Sequence, residues 1–154
     1  MKRFTLPIDL GFIRVGLAAV LICFVLRFFG FPIVVSGDSM APRCRTGQVA
    51  IASRLAYYFE SPNRGDLVIL RTETSGELLL KRIVGLPHEE IKMIWGGVYI
   101  NGTKFDEPYV KTDGGWTMLP VSLEDGEYWV IGDNRSESKF CKVQRSEIIG
   151  KALM

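Results

Sequence analysis

Between Ile8 and Val35 almost every side chain is apolar, and the run VGLAAVLICFVL from Val15 to Leu26 has no polar member. Phe28, Phe29, Phe31, Ile33, Val34 and Val35 prolong it, and Arg14 and Arg27 flank its centre. A bilayer span takes about 20 such residues, and arginines near its ends can carry their heads to the lipid headgroups. A buried core helix and a cleaved signal peptide share much of this pattern, but no small-x-small cleavage site follows before Ser36. The pattern therefore predicts a retained anchor over residues 8–31. Lys2, Arg3 and Arg14 precede the core, which puts residues 1–7 in the cytoplasm and residues 32–154 on the outer side of the cell membrane.

From Gln48 onward the spacing changes to that of strands. Val49–Ser53, Asp66–Thr72, Glu77–Gly85, Glu90–Gly96, Gly97–Thr103 and Glu127–Asp133 are rich in β-branched and aromatic residues and are separated by Gly, Pro, Asn and Asp. Asn101-Gly102 is a hairpin signal. The expected fold is mostly β, a partly open barrel or coiled sheet behind one transmembrane helix.

Composition narrows the chemistry. The 154 residues suit one domain with a modest core. The mean hydropathy of +0.16 is high for a soluble domain, and the apolar N-terminal segment accounts for it. Net charge is +2 with the basic residues scattered, so nucleic acid is not implied. One histidine, His88, excludes a two-histidine zinc helix, and Cys23, Cys44 and Cys141 have no CxxC spacing. No phosphate-binding glycine motif is present. An enzyme built from this chain works with Ser, Lys, Asp or Glu, with neither metal nor cofactor.

Three polar segments interrupt the apolar pattern: SGDSMAP (Ser36–Pro42), LLLKRIVGLP (Leu78–Pro87) and GDNRSES (Gly132–Ser138). Strand alternation puts Lys81 on one face with Leu79 and Ile83, and Arg82 on the other. A lysine facing a core loses hydration, so its pKa falls from about 10.4 toward neutrality, and it can act as a general base. Alone, Lys81 reads more readily as a rim lysine with its head in water. Ser39 is the candidate nucleophile, since a serine hydroxyl needs a base and no histidine is placed to serve. Gly37 lets the backbone bend closely around a carbonyl. The Ser39 amide, with a neighbour from Ser36 to Asp38, would form an oxyanion hole worth about 3–4 kcal/mol per donor. Alone, this segment reads more readily as a turn after a membrane helix.

GDSMAP, RGDLVIL, LLLKRIVGLP and IGDNRSES, in this order and spacing, resemble the boxes of bacterial type I signal peptidases, and VYINGTKFDEPYV resembles the segment before the last box. The resemblance runs from the anchor to about Ser138. It implies an endopeptidase that removes signal peptides from exported preproteins, with Ser39 as nucleophile and Lys81 as general base. Ser138 is expected to bond the lysine, Gly132 to leave room beside it, and an apolar edge to rest on the lipid bilayer. Arg82, Asp133 and Arg135 are expected as scaffold residues. Asp133 pairs with one of the two arginines, and an exposed pair is worth only about 0–1 kcal/mol.

Two departures stand out. Arg43 follows the proline where the family usually has Thr. Phe140, Cys141 and Lys142 stand where an Asp-Ser-Arg run is common, which removes an acidic partner. If the first and last boxes converge, Cys44 and Cys141 come within reach of a disulfide. Cys23 reads as a thiol in the anchor, His88 as a solvated turn residue, and Asn101-Gly102-Thr103 as a hairpin tip. Two other readings stay open: a processing peptidase dedicated to a pilin or one secreted cargo, and a non-catalytic assembly factor with the same fold. A self-cleaving repressor would need a DNA-binding domain in place of the apolar N-terminus. The oligomeric state is open.

Overall fold

The computed structural model describes residues 10–72, 76–111 and 114–153, with α1 side chains described as far as Val25. The expected cytoplasmic segment with Lys2 and Arg3, the start of the anchor at Ile8 and the side chain of Arg27 lie outside them. Helix α1 spans Leu10–Phe29, and every described side chain in it is exposed. It is therefore not a core helix of the domain that follows. Among the described residues no helix is long and apolar enough to cross a membrane.

Among the described residues eleven strands follow: β1 (Phe31–Val34), β2 (Val49–Ser53), β3 (Leu67–Arg71), β4 (Leu78–Gly85), β5 (Glu90–Ile94), β6 (Gly97–Ile100), β7 (Thr103–Lys104), β8 (Met118–Ser122), β9 (Glu127–Ile131), β10 (Cys141–Gln144) and β11 (Ile148–Leu153). A seven-stranded sheet runs in the order β1-β2-β11-β3-β4-β9-β10, and a four-stranded sheet in the order β7-β6-β5-β8. The larger sheet has β1 and β10 as edges, so it is not a closed barrel. The mostly β class is the one expected.

The expected run Gly97–Thr103 is two strands rather than one. Ile100 pairs with Thr103 around Asn101 and Gly102, whose φ angles of 49° and 82° are those of a tight hairpin turn. Four strands escaped the pattern. β1 merged into the apolar run, and β8 carries Pro120, which weakens a strand signal and suits an edge. β10 has only four residues, and β11 carries Gly150 and Lys151 in its middle, which interrupt the apolar run.

Burial divides the core across the large sheet. Ile69 and Leu80 pack with Val35, Met40, Cys44 and Ala50 on one face. Val68, Leu70 and Ile83 pack with Tyr57, Tyr128 and Val130 on the other. A third cluster, around Ile91, Met93, Val98 and Trp129, joins the small sheet to the large one.

Candidate active site

Lys81 is the fourth residue of β4 and pairs across the strand with Val68. Its neighbours at two-residue spacing, Leu79 and Ile83, belong to the second core cluster, so alternation carries the lysine inward. The side chain is 7% exposed. Burial pushes its pKa below the ordinary lysine value, with Cys141 acting in the opposite direction. The rim-lysine alternative does not hold.

One hydrogen bond fixes the amine: Nζ donates to Ser138 Oγ at 3.1 Å. That hydroxyl also accepts the Gly132 amide at 2.7 Å and donates to the Lys139 carbonyl at 3.1 Å. A hydroxyl has one proton and two acceptor lone pairs, so all its capacity is used. With its proton committed to the Lys139 carbonyl, Ser138 can only accept a hydrogen bond from Lys81. A neutral amine held this way keeps its lone pair free and pointing elsewhere.

The Ser39 segment docks on the same loop. The Ser39 carbonyl accepts the Asn134 amide at 3.0 Å, and the Asp38 carbonyl accepts Asn134 Nδ2 at 3.0 Å. A Cβ placed on Gly132 would stand 2.2 Å from the Ser39 carbonyl oxygen and 2.5 Å from Ser138 Oγ. Only hydrogen fits there, and the room it leaves is occupied by Ser39 and Ser138. Gly37 has a φ of 83°, a left-handed turn that admits glycine at little cost. Met40, 1% exposed, pins the segment into the first cluster. Ser39 is half-buried and lines a cavity of about 300 Å³ between Ile33 and Val35 on one side and Leu78 and Leu80 on the other.

The expected scaffold residues are more buried than the sequence implied. Asp133 pairs with Arg82 rather than Arg135: Nε reaches Oδ1 at 2.7 Å and Nη2 reaches Oδ2 at 2.6 Å. Arg82 also donates to the Gly65 carbonyl at 2.7 Å and lies 4.0 Å over the Tyr109 ring. Burial opposes its charge, but the Asp133 carboxylate overcomes this and raises its pKa. The pair is not the exposed, weak one expected: the two side chains are 8% and 1% exposed. Arg135, fully buried, instead pairs with Glu107 and donates to the Gly132 and Gly96 carbonyls, both at 3.1 Å. It ties the base of the Ser138 loop to the small sheet.

No disulfide joins Cys44 to Cys141. Although the two boxes converge, Cys44 packs with Ala50 and Leu80, and Cys141 packs with Tyr128 and Val130 on the opposite face. Phe140 makes apolar contacts. It stacks on Trp129 at 5.2 Å and meets Trp116 edge-on at 6.2 Å. Lys142 has its own partner in Glu127 at 2.8 Å. His88 is exposed, in a left-handed turn with a φ of 67°.

Sequence reasoning missed Met40, Asn134 and Glu107. Asn134 and Glu107 lie inside the quoted segments IGDNRSES and VYINGTKFDEPYV, so their position was visible but not their partners. Among the described residues no group of His, Cys, Asp and Glu is arranged to hold a metal ion.

The fold is that of a known class of hydrolase. Residues 10–154 match the family model for signal peptidase, peptidase S26. A probable signal peptidase I-2 from Synechocystis is 30% identical over 130 residues, which is 78% of this chain and 60% of that protein. Signal peptidase I T from Bacillus subtilis is 36% identical over 131 residues, 78% of this chain and 68% of the relative. A crystal structure of a signal peptidase I from Enterococcus faecalis superposes with a TM-score of 0.52 at 25% identity, covering 62% of this chain and 98% of that one. The chain belongs to the signal peptidase family, peptidase S26.

Proposed function

We propose that this chain is a membrane-bound serine endopeptidase that cuts signal peptides from exported preproteins, with Ser39 as nucleophile and Lys81 as general base. One observation carries the reading. A lysine amine dehydrated on a strand is fixed at 3.1 Å by Ser138, in a loop whose Gly132 touches the backbone of Ser39.

Neutral Lys81 takes the Ser39 hydroxyl proton as Oγ attacks the scissile carbonyl. The oxygen of that carbonyl becomes an oxyanion, which the Ser39 amide stabilises by a hydrogen bond. Lys81 then gives the proton to the departing amine, leaving an acyl-enzyme. A water, deprotonated by Lys81, releases the signal peptide. General-base help of this kind is worth about 10²–10⁴-fold. The substrate lies extended in the cavity beside β1, where apolar walls at Ile33, Val35 and Leu80 suit small side chains next to the cut.

The apolar run from Ile8 to Val35 and the exposure of every described side chain of α1 support an anchor with its N-terminus in the cytoplasm and the sheets outside. Phe140 and Lys142, both engaged in contacts the usual run would not make, favour a second reading: the same chemistry serving one cargo such as a pilin. The test is mass spectrometry of several preproteins incubated with the purified chain. Cleavage at one site after small residues, abolished in Ser39→Ala and in Lys81→Ala, is expected. Turnover persisting in either variant refutes the dyad, and cleavage of one preprotein alone supports the dedicated reading. A chain that neither cuts nor is labelled by a serine-reactive inhibitor is an assembly factor.

A further inference from the structure

The backbone around Ser39 is gripped by one residue of the loop between β9 and β10. Asn134 donates its backbone amide to the Ser39 carbonyl at 3.0 Å and its side-chain Nδ2 to the Asp38 carbonyl at 3.0 Å. The peptide units on both sides of the Ser39 Cα are therefore held. The Asn134 side chain is itself oriented, because its Oδ1 accepts the Ser136 hydroxyl at 2.8 Å. The Asp38 carbonyl also accepts the Ala41 amide at 3.0 Å, which uses both of its lone pairs. The Asp38 carboxylate accepts the Thr46 hydroxyl at 3.0 Å. Gly37 gives the segment a permissive hinge, and these bonds remove the freedom it brings.

The Asp38 C=O and the Ser39 N–H belong to one planar unit. That peptide is trans, so its N–H points opposite its C=O. A bond to the carbonyl therefore aims the amide, and it also polarises the unit, which makes the N–H a stronger donor. Among the described residues the Ser39 amide donates to no other group. We propose that Asn134 is a positioning residue for the oxyanion: through the Asp38 carbonyl, its side chain aims and polarises the Ser39 N–H toward the charge that develops on the scissile carbonyl oxygen. The inference rests on the peptidase reading above. Ser138 serves the base, and Asn134 serves the charge that forms as the base takes its proton.

The test compares the full wild-type chain in detergent with Asn134→Asp, Asn134→Ala and Ser136→Ala. Aspartate keeps the size of asparagine but has no donor for the Asp38 carbonyl, and the backbone bond from residue 134 to Ser39 is open to all three variants. Preprotein cleavage, its pH profile and inhibition by a short peptide aldehyde ending in alanine are measured. Ser39 Oγ adds to the aldehyde carbon, its proton passes to Lys81, and the former carbonyl oxygen takes the place of the oxyanion. An oxyanion donor is worth about 10²–10³-fold in kcat. The two Asn134 variants keep the donor but loosen its aim, so they should lose about 10–10²-fold in kcat with little change in KM. Aldehyde affinity should fall by the same factor, while the acid midpoint of the kcat/KM profile stays at the wild-type value because the base is untouched. Ser136→Ala should show the same paired change at smaller size, and it carries the test if the Asn134 variants do not fold. Wild-type kcat and aldehyde affinity in the folded variants overturn the proposal. So does a fall in kcat with aldehyde affinity unchanged, or a shifted midpoint. A wild type that neither cuts nor takes up the aldehyde overturns the peptidase reading and this inference with it; an active wild type with unaffected variants overturns this inference alone.

Discussion

Replacing Gly132 by alanine should disable the site while leaving the sheets folded. The new methyl carbon would lie 2.2 Å from the Ser39 carbonyl oxygen and 2.5 Å from Ser138 Oγ. Non-bonded heavy atoms settle near about 3.5 Å, so Ser39 and Ser138 must separate from Gly132 by about 1 Å. A misplacement of about 1 Å between reacting groups costs about 10²-fold in rate, and the forced shift costs about 1–3 kcal/mol of stability. Gly85→Ala is the control. Its methyl would meet the Ile91 and Trp129 side chains at 2.7 Å, in the third cluster away from Ser39. The assay is preprotein cleavage, with kcat/KM and urea unfolding measured on both variants. The expected result is a comparable loss of stability in the two, and a fall in kcat/KM of about 10²-fold only in Gly132→Ala. Near wild-type cleavage by a folded Gly132→Ala would refute the claim that Gly132 sets the spacing between Ser39 and Ser138.

Burial depresses the Lys81 pKa, so between its folded value and the unfolded value of about 10.4 the unfolded chain holds a proton that the folded chain lacks. Stability therefore rises with pH across that window, and cleavage rises with pH through the folded value. Lys81→Met removes the charge that burial opposes, so its melting temperature at neutral pH should exceed the wild type's and the gap should narrow as pH rises. Asp133→Ala leaves the Arg82 guanidinium buried without its partner and should cost about 3–5 kcal/mol by urea denaturation. Ser138→Ala strands the Lys81 amine and the Gly132 amide. It should cost about 1–3 kcal/mol and lower kcat with little change in KM, because Ser138 holds the base and not the substrate.

What the sequence made legible followed from period and from motif order. The two-residue alternation around Lys81 put it on the face of Leu79 and Ile83 but left a rim position open, and its burial became visible only in the folded sheet. The box order brought Ser39, Gly132 and Ser138 to one place, and they do meet. The pairing of Asp133 was not legible, because Arg82 and Arg135 are equally near it in character and only the turn between β9 and β10 decides. The disulfide expectation failed for a related reason. Converging segments say nothing about which face of a sheet each thiol occupies, and Cys44 and Cys141 lie on opposite faces. Strand β1 was hidden by its own hydrophobicity, since apolar residues on both faces erase alternation where the sheet turns one side outward. The Phe140 stack on Trp129 depends on contacts between residues far apart in the chain, which no local pattern encodes.

The central claim is that Lys81 is unprotonated at the pH where the chain works. Its side-chain Cε resonance can be followed against pH by NMR, with the signal assigned from its absence in Lys81→Met. A midpoint well below about 10.4 is predicted, coinciding with the acid limb of the kcat/KM profile. A midpoint at or above that value would mean that Lys81 is a charged structural lysine, and that some other group takes the proton from Ser39.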